Sequence, residues 1–166
     1  MAHIPNKGKN PMNTNGDLPA VGSSAPDFVL VAADLSEKTL ASFAGKKKIL
    51  TINPSYDTGT CQAAARMFNK RAAGLDGVVV LMVSADLPFA QKRFCEAEGI
   101  DGIVPVSTFR SSFLKDYGVE LIDGPLKGIS ARAIVVIDEN DKVVHTELVP
   151  VLGEEPNYDA ALAAVS

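Results

Sequence analysis

Ile49-Leu50-Thr51-Ile52 runs directly into Asn53-Pro54-Ser55-Tyr56-Asp57-Thr58-Gly59-Thr60-Cys61. The first four residues are apolar or β-branched and suit a buried strand. Pro54 cannot donate to a sheet ladder, so it ends the strand and shapes a turn. From about Thr60 to Ala73, Cys61, Ala64, Ala65, Phe68 and Ala72 recur at the spacing of one helical face. The segment therefore reads as strand, turn, helix, with Cys61 on the first turn of the helix. Unpaired N–H groups and the positive end of the helix dipole act there, and such a position makes a thiol nucleophilic at neutral pH. Position alone leaves a packed, inert thiol as an alternative. The flanking residues favour the nucleophile. Thr58, one turn earlier, carries a hydroxyl able to cap the helix and to hydrogen-bond a bound oxygen. The only other cysteine is Cys95. One nucleophilic thiol with one partner available for a disulfide points to redox catalysis.

Outward from this segment, strands and helices alternate. Phe28–Val31 reads as a strand and Lys38–Leu40 as a short second one. Lys46-Lys47-Lys48 reads as a solvated turn. Val78–Val83 is a continuous apolar run, typical of a central strand covered on both faces. Asp86 as N-cap and Pro88 in the first turn open a helix that continues through Cys95 to Gly99. A short strand near Val104–Val106 and a brief helix near Ser112–Tyr117 follow. Ala133–Ile137 and Val143–Leu148 flank the turn Asp138–Lys142 as a hairpin, and Tyr158–Val165 reads as a closing helix. This order implies an α/β fold with a central mixed β-sheet flanked by helices. Residues 1–17 read as an N-terminal extension, with turn signals at Asn10-Pro11 and Asn15-Gly16 that allow a hairpin.

A length of 166 residues suits one domain, and 46% hydrophobic with 22% charged residues is ordinary for a globular protein. The formal charge of −4 gives no footprint for nucleic acid or anionic lipid. No stretch is long enough to span a bilayer. The polar start of the chain lacks the apolar core of a secretory signal, so the expected location is cytoplasmic. In a reducing cytosol a two-cysteine disulfide is more often transient and catalytic than structural. His3 lies in the extension and His145 in a hairpin strand, and both read as non-catalytic. No metal-ligand pattern, phosphate loop or serine triad is present, so no cofactor or metal is expected.

Pro54 to Cys61 resembles the Pro-x-x-x-Thr-x-x-Cys motif of peroxiredoxins, and its Pro-Ser-x-Asp-Thr form is similar to the thiol peroxidase subgroup, the atypical two-cysteine kind. Ser84 to Gln91 with Arg93-Phe94-Cys95, Ser107 to Arg110, Asp123 to Gly128 and Ala131-Arg132-Ala133 resemble the same subgroup. The likeness spans about Leu18 to Ala164. It implies a thioredoxin-like fold over residues 18–166 and the reduction of hydroperoxides, both hydrogen peroxide and alkyl or lipid hydroperoxides. It also implies Cys61 as the peroxidatic cysteine and Cys95 as the resolving one, joined in an intramolecular disulfide. Pro54, Thr58 and Arg132 would complete the site. Thioredoxin as reductant and a homodimer are implied too, with Tyr56, Asp57 and Arg110 near the dimer contact. Two positions depart from the subgroup's pattern. Asn53 stands where an apolar or aromatic residue is usual, and Met82 where some relatives carry a third cysteine. The absence of Cys-x-x-Cys argues against a dithiol oxidoreductase. A peroxide sensor that relays oxidation to a partner protein would use the same thiol chemistry.

Overall fold

A computed structural model describes residues 1–166 and places nine strands and four α-helices along the chain. The strands are β1 (His3–Ile4), β2 (Met12–Asn13), β3 (Leu30–Ala32), β4 (Glu37–Lys38), β5 (Lys47–Ile52), β6 (Val78–Ser84), β7 (Val104–Ser107), β8 (Ala133–Ile137) and β9 (Val143–Leu148). Helix α1 (Gly59–Ala72) joins β5 to β6, and α2 (Pro88–Glu98) joins β6 to β7. The short α3 (Phe113–Asp116) precedes β8, and α4 (Tyr158–Ala163) closes the chain.

Seven strands form one sheet in the order β4-β3-β7-β6-β5-β8-β9. β5, β6 and β7 are parallel, whereas β8 runs antiparallel to β5 and β3 antiparallel to β7. The parallel pairs follow from their helical crossovers, and the antiparallel β8–β9 pair from the tight turn between them. This is the mixed α/β architecture implied by the order of elements.

Side chains alternate across β5 and sort the core into two layers. Leu50 and Ile52 face a cluster that holds Phe28, Phe113, Tyr117 and Val135. Ile49 faces the other cluster, with Phe68 of α1, Cys95 of α2 and Ala161 of α4. Cys61 lies in this second layer too. Both cysteines therefore sit between the sheet and the helices that cover the same face.

Several local expectations are corrected. The lysine run is not a solvated turn: β5 begins at Lys47, and the fully buried Lys48 donates to Asp141 Oδ1 at 2.6 Å. Strand alternation puts Lys48 on the face of Leu50 and Ile52. Its long aliphatic stem crosses the core edge so that its ammonium meets a carboxylate of the β8–β9 turn. Phe28 precedes β3 instead of belonging to it, because its N–H is taken by the Asp27 carboxylate at 2.8 Å. Thr39 and Leu40 leave the strand for a 3-10 turn over Leu40–Phe43, held by a reciprocal Thr39–Ser42 capping box. In α2 the inward face is carried by Pro88, Gln91 and Cys95.

At the N-terminus, β1 and β2 pair antiparallel, and Ile4 and Met12 pack with Leu121 and Ala131. Asn13 donates from both its backbone and its side chain to Asp123, each at 2.8 Å. Each strand is two residues long, too short for alternation to register in the sequence.

Candidate active site

The turn between β5 and α1 is held from the end of the neighbouring strand. Asp86, just past β6, accepts hydrogen bonds from Ser55 Oγ and the Tyr56 N–H, each at 2.8 Å, and from Ser84 Oγ at 2.9 Å. It therefore does not cap α2: Leu87 occupies that N-cap, with Pro88 in the first turn as expected. Its carboxylate serves instead to fasten the loop that presents Cys61. Pro54 is buried at the start of this loop.

Thr58 occupies the N-cap position of α1 with an extended backbone, but its side chain makes no capping bond. Its hydroxyl donates to the Ser55 carbonyl at 2.9 Å. The expectation that it caps the helix is thus corrected. A hydroxyl turned back onto its own loop leaves the first amides of α1 without a side-chain partner, and the lone pairs of the Thr58 oxygen remain available.

Cys61 is fully buried and its sulfur accepts a hydrogen bond from Arg132 Nη1 at 3.1 Å. Arg132 lies one residue before β8, and the β5–β8 register pairs Ile52 with Ala133. The antiparallel pairing thereby brings the guanidinium to the end of β5, beside the helix start. Arg132 is itself buried and makes three further bonds. Nη1 donates to Asn53 Oδ1 at 2.7 Å, and Nε and Nη2 donate to the Leu152 carbonyl at 3.2 and 2.9 Å.

Asn53 extends the network. Its amide donates to Tyr56 Oη at 2.7 Å and to Thr51 O and Oγ1, each at 3.1 Å, and its carbonyl accepts from Ser130 Oγ at 2.9 Å. Tyr56 is only 2% exposed and stacks on Phe94, with ring centroids 5.5 Å apart and planes 28° apart. Its side chain is therefore internal, whereas Asp57 and Arg110 are exposed. Burial first, then the neighbouring Cys61, holds the Tyr56 phenol well above its ordinary range, so it is neutral at physiological pH.

Cys95 lies in the last turn of α2 and is 8% exposed. Burial pushes its thiol from 9.0 up to about 11, and the neighbouring Glu96 carboxylate adds to the effect. Both cysteines are free thiols. A shallow cavity lined by Ala33, Lys92, Cys95, Ile100 and Pro105 opens beside Cys95. Gly99 ends α2 in the left-handed conformation at φ 66°, which a residue without Cβ adopts readily.

The structure thus gathers Cys61, Arg132, Thr58 and Pro54 around the start of α1 and keeps Cys95 on the neighbouring helix of the same layer. His3 and His145 lie on β1 and β9, away from it. Sequence reading did not anticipate Asp86 and Asn53 as organisers, although a polar residue closing an apolar strand was a visible signal at Asn53. Leu152 acts through its carbonyl and leaves no side-chain signal at all.

Comparison with known proteins bears on the family and the fold. The family model described as Redoxin matches residues 20–162. Thiol peroxidases of Mycobacterium bovis and Mycobacterium tuberculosis are each 54% identical over 165 residues, covering 99% of this chain and 99% of theirs. Among solved structures, a peroxiredoxin-like protein from Aquifex aeolicus has a TM-score of 0.93 at 42% identity, covering 99% of this chain and 96% of that one. A thiol peroxidase from Chromobacterium violaceum has a TM-score of 0.84 at 25% identity, covering 94% of this chain and 91% of that one. The chain belongs to the redoxin family, and within it to the thiol peroxidase group of peroxiredoxins.

Proposed function

We propose that this protein reduces hydroperoxides through Cys61, resolves the product with Cys95 and is recycled by thioredoxin. The observation that carries the reading is the buried Arg132 guanidinium 3.1 Å from the Cys61 sulfur at the start of a helix. A fixed cation and free helix amides there place positive charge and hydrogen-bond donors around the sulfur that attacks. The same charge serves the reaction, because negative charge moves from sulfur to oxygen as the O–O bond breaks.

The Cys61 thiolate attacks one peroxide oxygen, forming an S–O bond. The O–O electron pair leaves with the distal oxygen, which takes a proton to become an alcohol or water. Arg132 offers five N–H donors, of which four are engaged, so one remains for the oxygen that gains charge. The Thr58 oxygen, whose own proton is turned to Ser55, can accept from the O–H of the incoming hydroperoxide. Pro54 shields the thiolate from water.

Cys61 is then a sulfenic acid. The Cys95 sulfur attacks it, expelling water and closing the disulfide. Thioredoxin's dithiol reduces that disulfide and is itself oxidised. A disulfide requires Cα atoms within about 4.4–6.8 Å. Cys95 is packed into the last turn of α2 and Cys61 into the first turn of α1, so closure proceeds through local unwinding of these helix ends. We read the working location as the cytosol and the working form as a homodimer, for which the exposed Asp57 and Arg110 supply part of the contact.

Steady-state peroxide consumption with thioredoxin and its reductase tests this, run with hydrogen peroxide and with organic hydroperoxides. Sustained turnover supports the enzyme. A single equivalent of oxidation without recycling would favour a sensor instead.

A further inference from the structure

Resting on the reading of Cys61 as the peroxide-reacting thiol, we propose that Asn53 is the residue that positions Arg132 on Cys61, with Tyr56 as its buried counterpart. Arg132 is fixed along one edge by a single acceptor, the Leu152 carbonyl, which takes both Nε and Nη2. Two bonds to one atom leave the guanidinium able to pivot about that oxygen. The opposite corner, Nη1, is the one that meets sulfur, and its shorter contact is to Asn53 Oδ1 at 2.7 Å against 3.1 Å to Cys61. Nη1 carries two hydrogens, so the two acceptors do not compete. Asn53 therefore removes the pivot and sets where the sulfur-facing hydrogen points.

The orientation of the Asn53 amide is dictated by its neighbours. Arginine has no acceptor and the Thr51 carbonyl has no donor, so Oδ1 must face Arg132 and Nδ2 must face Thr51. A flipped amide would put N–H groups against a cation in a dry site. A lone buried amide is costly unless both its ends are satisfied. Tyr56 supplies the remaining acceptor at 2.7 Å and, being a neutral phenol, carries no charge that would oppose the thiolate. The amide and the phenol form a matched pair. The contacts run without a break from Cys61 through Arg132, Asn53 and Tyr56 to Phe94, the residue next to Cys95.

The test uses Asn53→Leu, close in size and lacking both functions of the amide. Site-resolved alkylation by iodoacetamide, followed by mass spectrometry across a pH series, reads the nucleophilicity of Cys61 without any peroxide. The Cys61 profile is expected to move to higher pH, and the peroxide rate constant to fall roughly ten- to hundredfold, as for the loss of a hydrogen bond to a charged group. Tyr56→Phe, which leaves Oδ1 on Arg132 and the amide on Thr51, should move the profile less. A folded Asn53→Leu protein with the parent's alkylation profile and peroxide rate would overturn the assignment, as would a larger shift in Tyr56→Phe. If Asn53→Leu does not fold, nitrogen-resolved magnetic resonance of the parent decides. Separate, slowly rotating Nη1 hydrogens on Arg132 support the role, and a single averaged signal excludes it. A parent that alkylates as expected but consumes no peroxide would sink the peroxidase reading and leave the positioning of Arg132 standing.

Discussion

Cys61 and Cys95 share one side-chain chemistry and one core layer, yet their surroundings are opposites. Cys61 lies at the N-terminal end of its helix, where the dipole is positive, and a guanidinium touches its sulfur. Cys95 lies at the C-terminal end of its helix beside Glu96, with no cation bonded to it, and its thiol is pushed up to about 11. The contrast teaches that order of reaction is built into placement. On the proposed reading, the first sulfur attacks peroxide and the second, held protonated by burial, acts only after the first has been oxidised.

The severest way to break the comparison is Cys61→Ser. Peroxide reduction should vanish while circular dichroism stays unchanged, since a serine hydroxyl stays protonated at neutral pH and is too weak a nucleophile to attack peroxide. A folded variant consuming peroxide near the parent's rate would remove Cys61 from the role. Next in size, Arg132→Met removes the cation that separates the two environments. Stopped-flow measurement should show a second-order rate lower by roughly a hundred- to thousandfold, the usual cost of losing a donor to developing negative charge. An unchanged rate would mean that the guanidinium is only structural.

Cys95→Ser should leave the first reaction with peroxide intact and abolish turnover with thioredoxin. Mass spectrometry after one equivalent of peroxide should find an intramolecular disulfide in the parent and a Cys61 oxide in the variant. Recycling of the variant at the parent's rate would show that Cys95 does not resolve Cys61. The smallest effect sharpens the contrast through stability. Folding favours the protonated Cys95 thiol, so its contribution is complete below its ordinary 9.0 and is lost as pH rises through about 11. Serine does not ionise in this range. Denaturant midpoints of the parent should therefore decline relative to those of Cys95→Ser across that window, and parallel midpoints would contradict the burial of the thiol.

What could be read from the sequence was what local chemistry dictates. The apolar run of β5, the break at Pro54 and the helical stripe from Cys61 to Ala72 are neighbours in the chain, and their order alone implies a strand that delivers a thiol to a helix start. Two of the misread residues, Lys48 and Asp86, take their partners from afar. Lys48 looks solvated until the β8–β9 turn brings Asp141 to it. Asp86 looks like a helix cap until β6 lies beside β5 and its carboxylate reaches Ser55 and Tyr56. Thr58 has the right residue type for a cap, but the carbonyl of Ser55 is a competing acceptor created by the turn itself. Arg132 could be assigned only by resemblance, because nothing near it in sequence indicates a sulfur opposite.

The pairing of Ile52 with Ala133 has a consequence for how the enzyme can vary. Sliding β8 by a single residue would carry Arg132 about 3.4 Å along the sheet and turn its side chain to the opposite face. The cation would then be stranded in the layer that holds Phe28 and Tyr117. The apolar residues that lock this alignment, Val135 and Ile137 on one face and Ile134 and Val136 on the other, thereby set how far the Arg132 guanidinium lies from the Cys61 sulfur. Packing in the middle of the sheet is in this sense a setting of the chemistry at its edge, and a substitution there that shifted the alignment would silence the thiol without touching it.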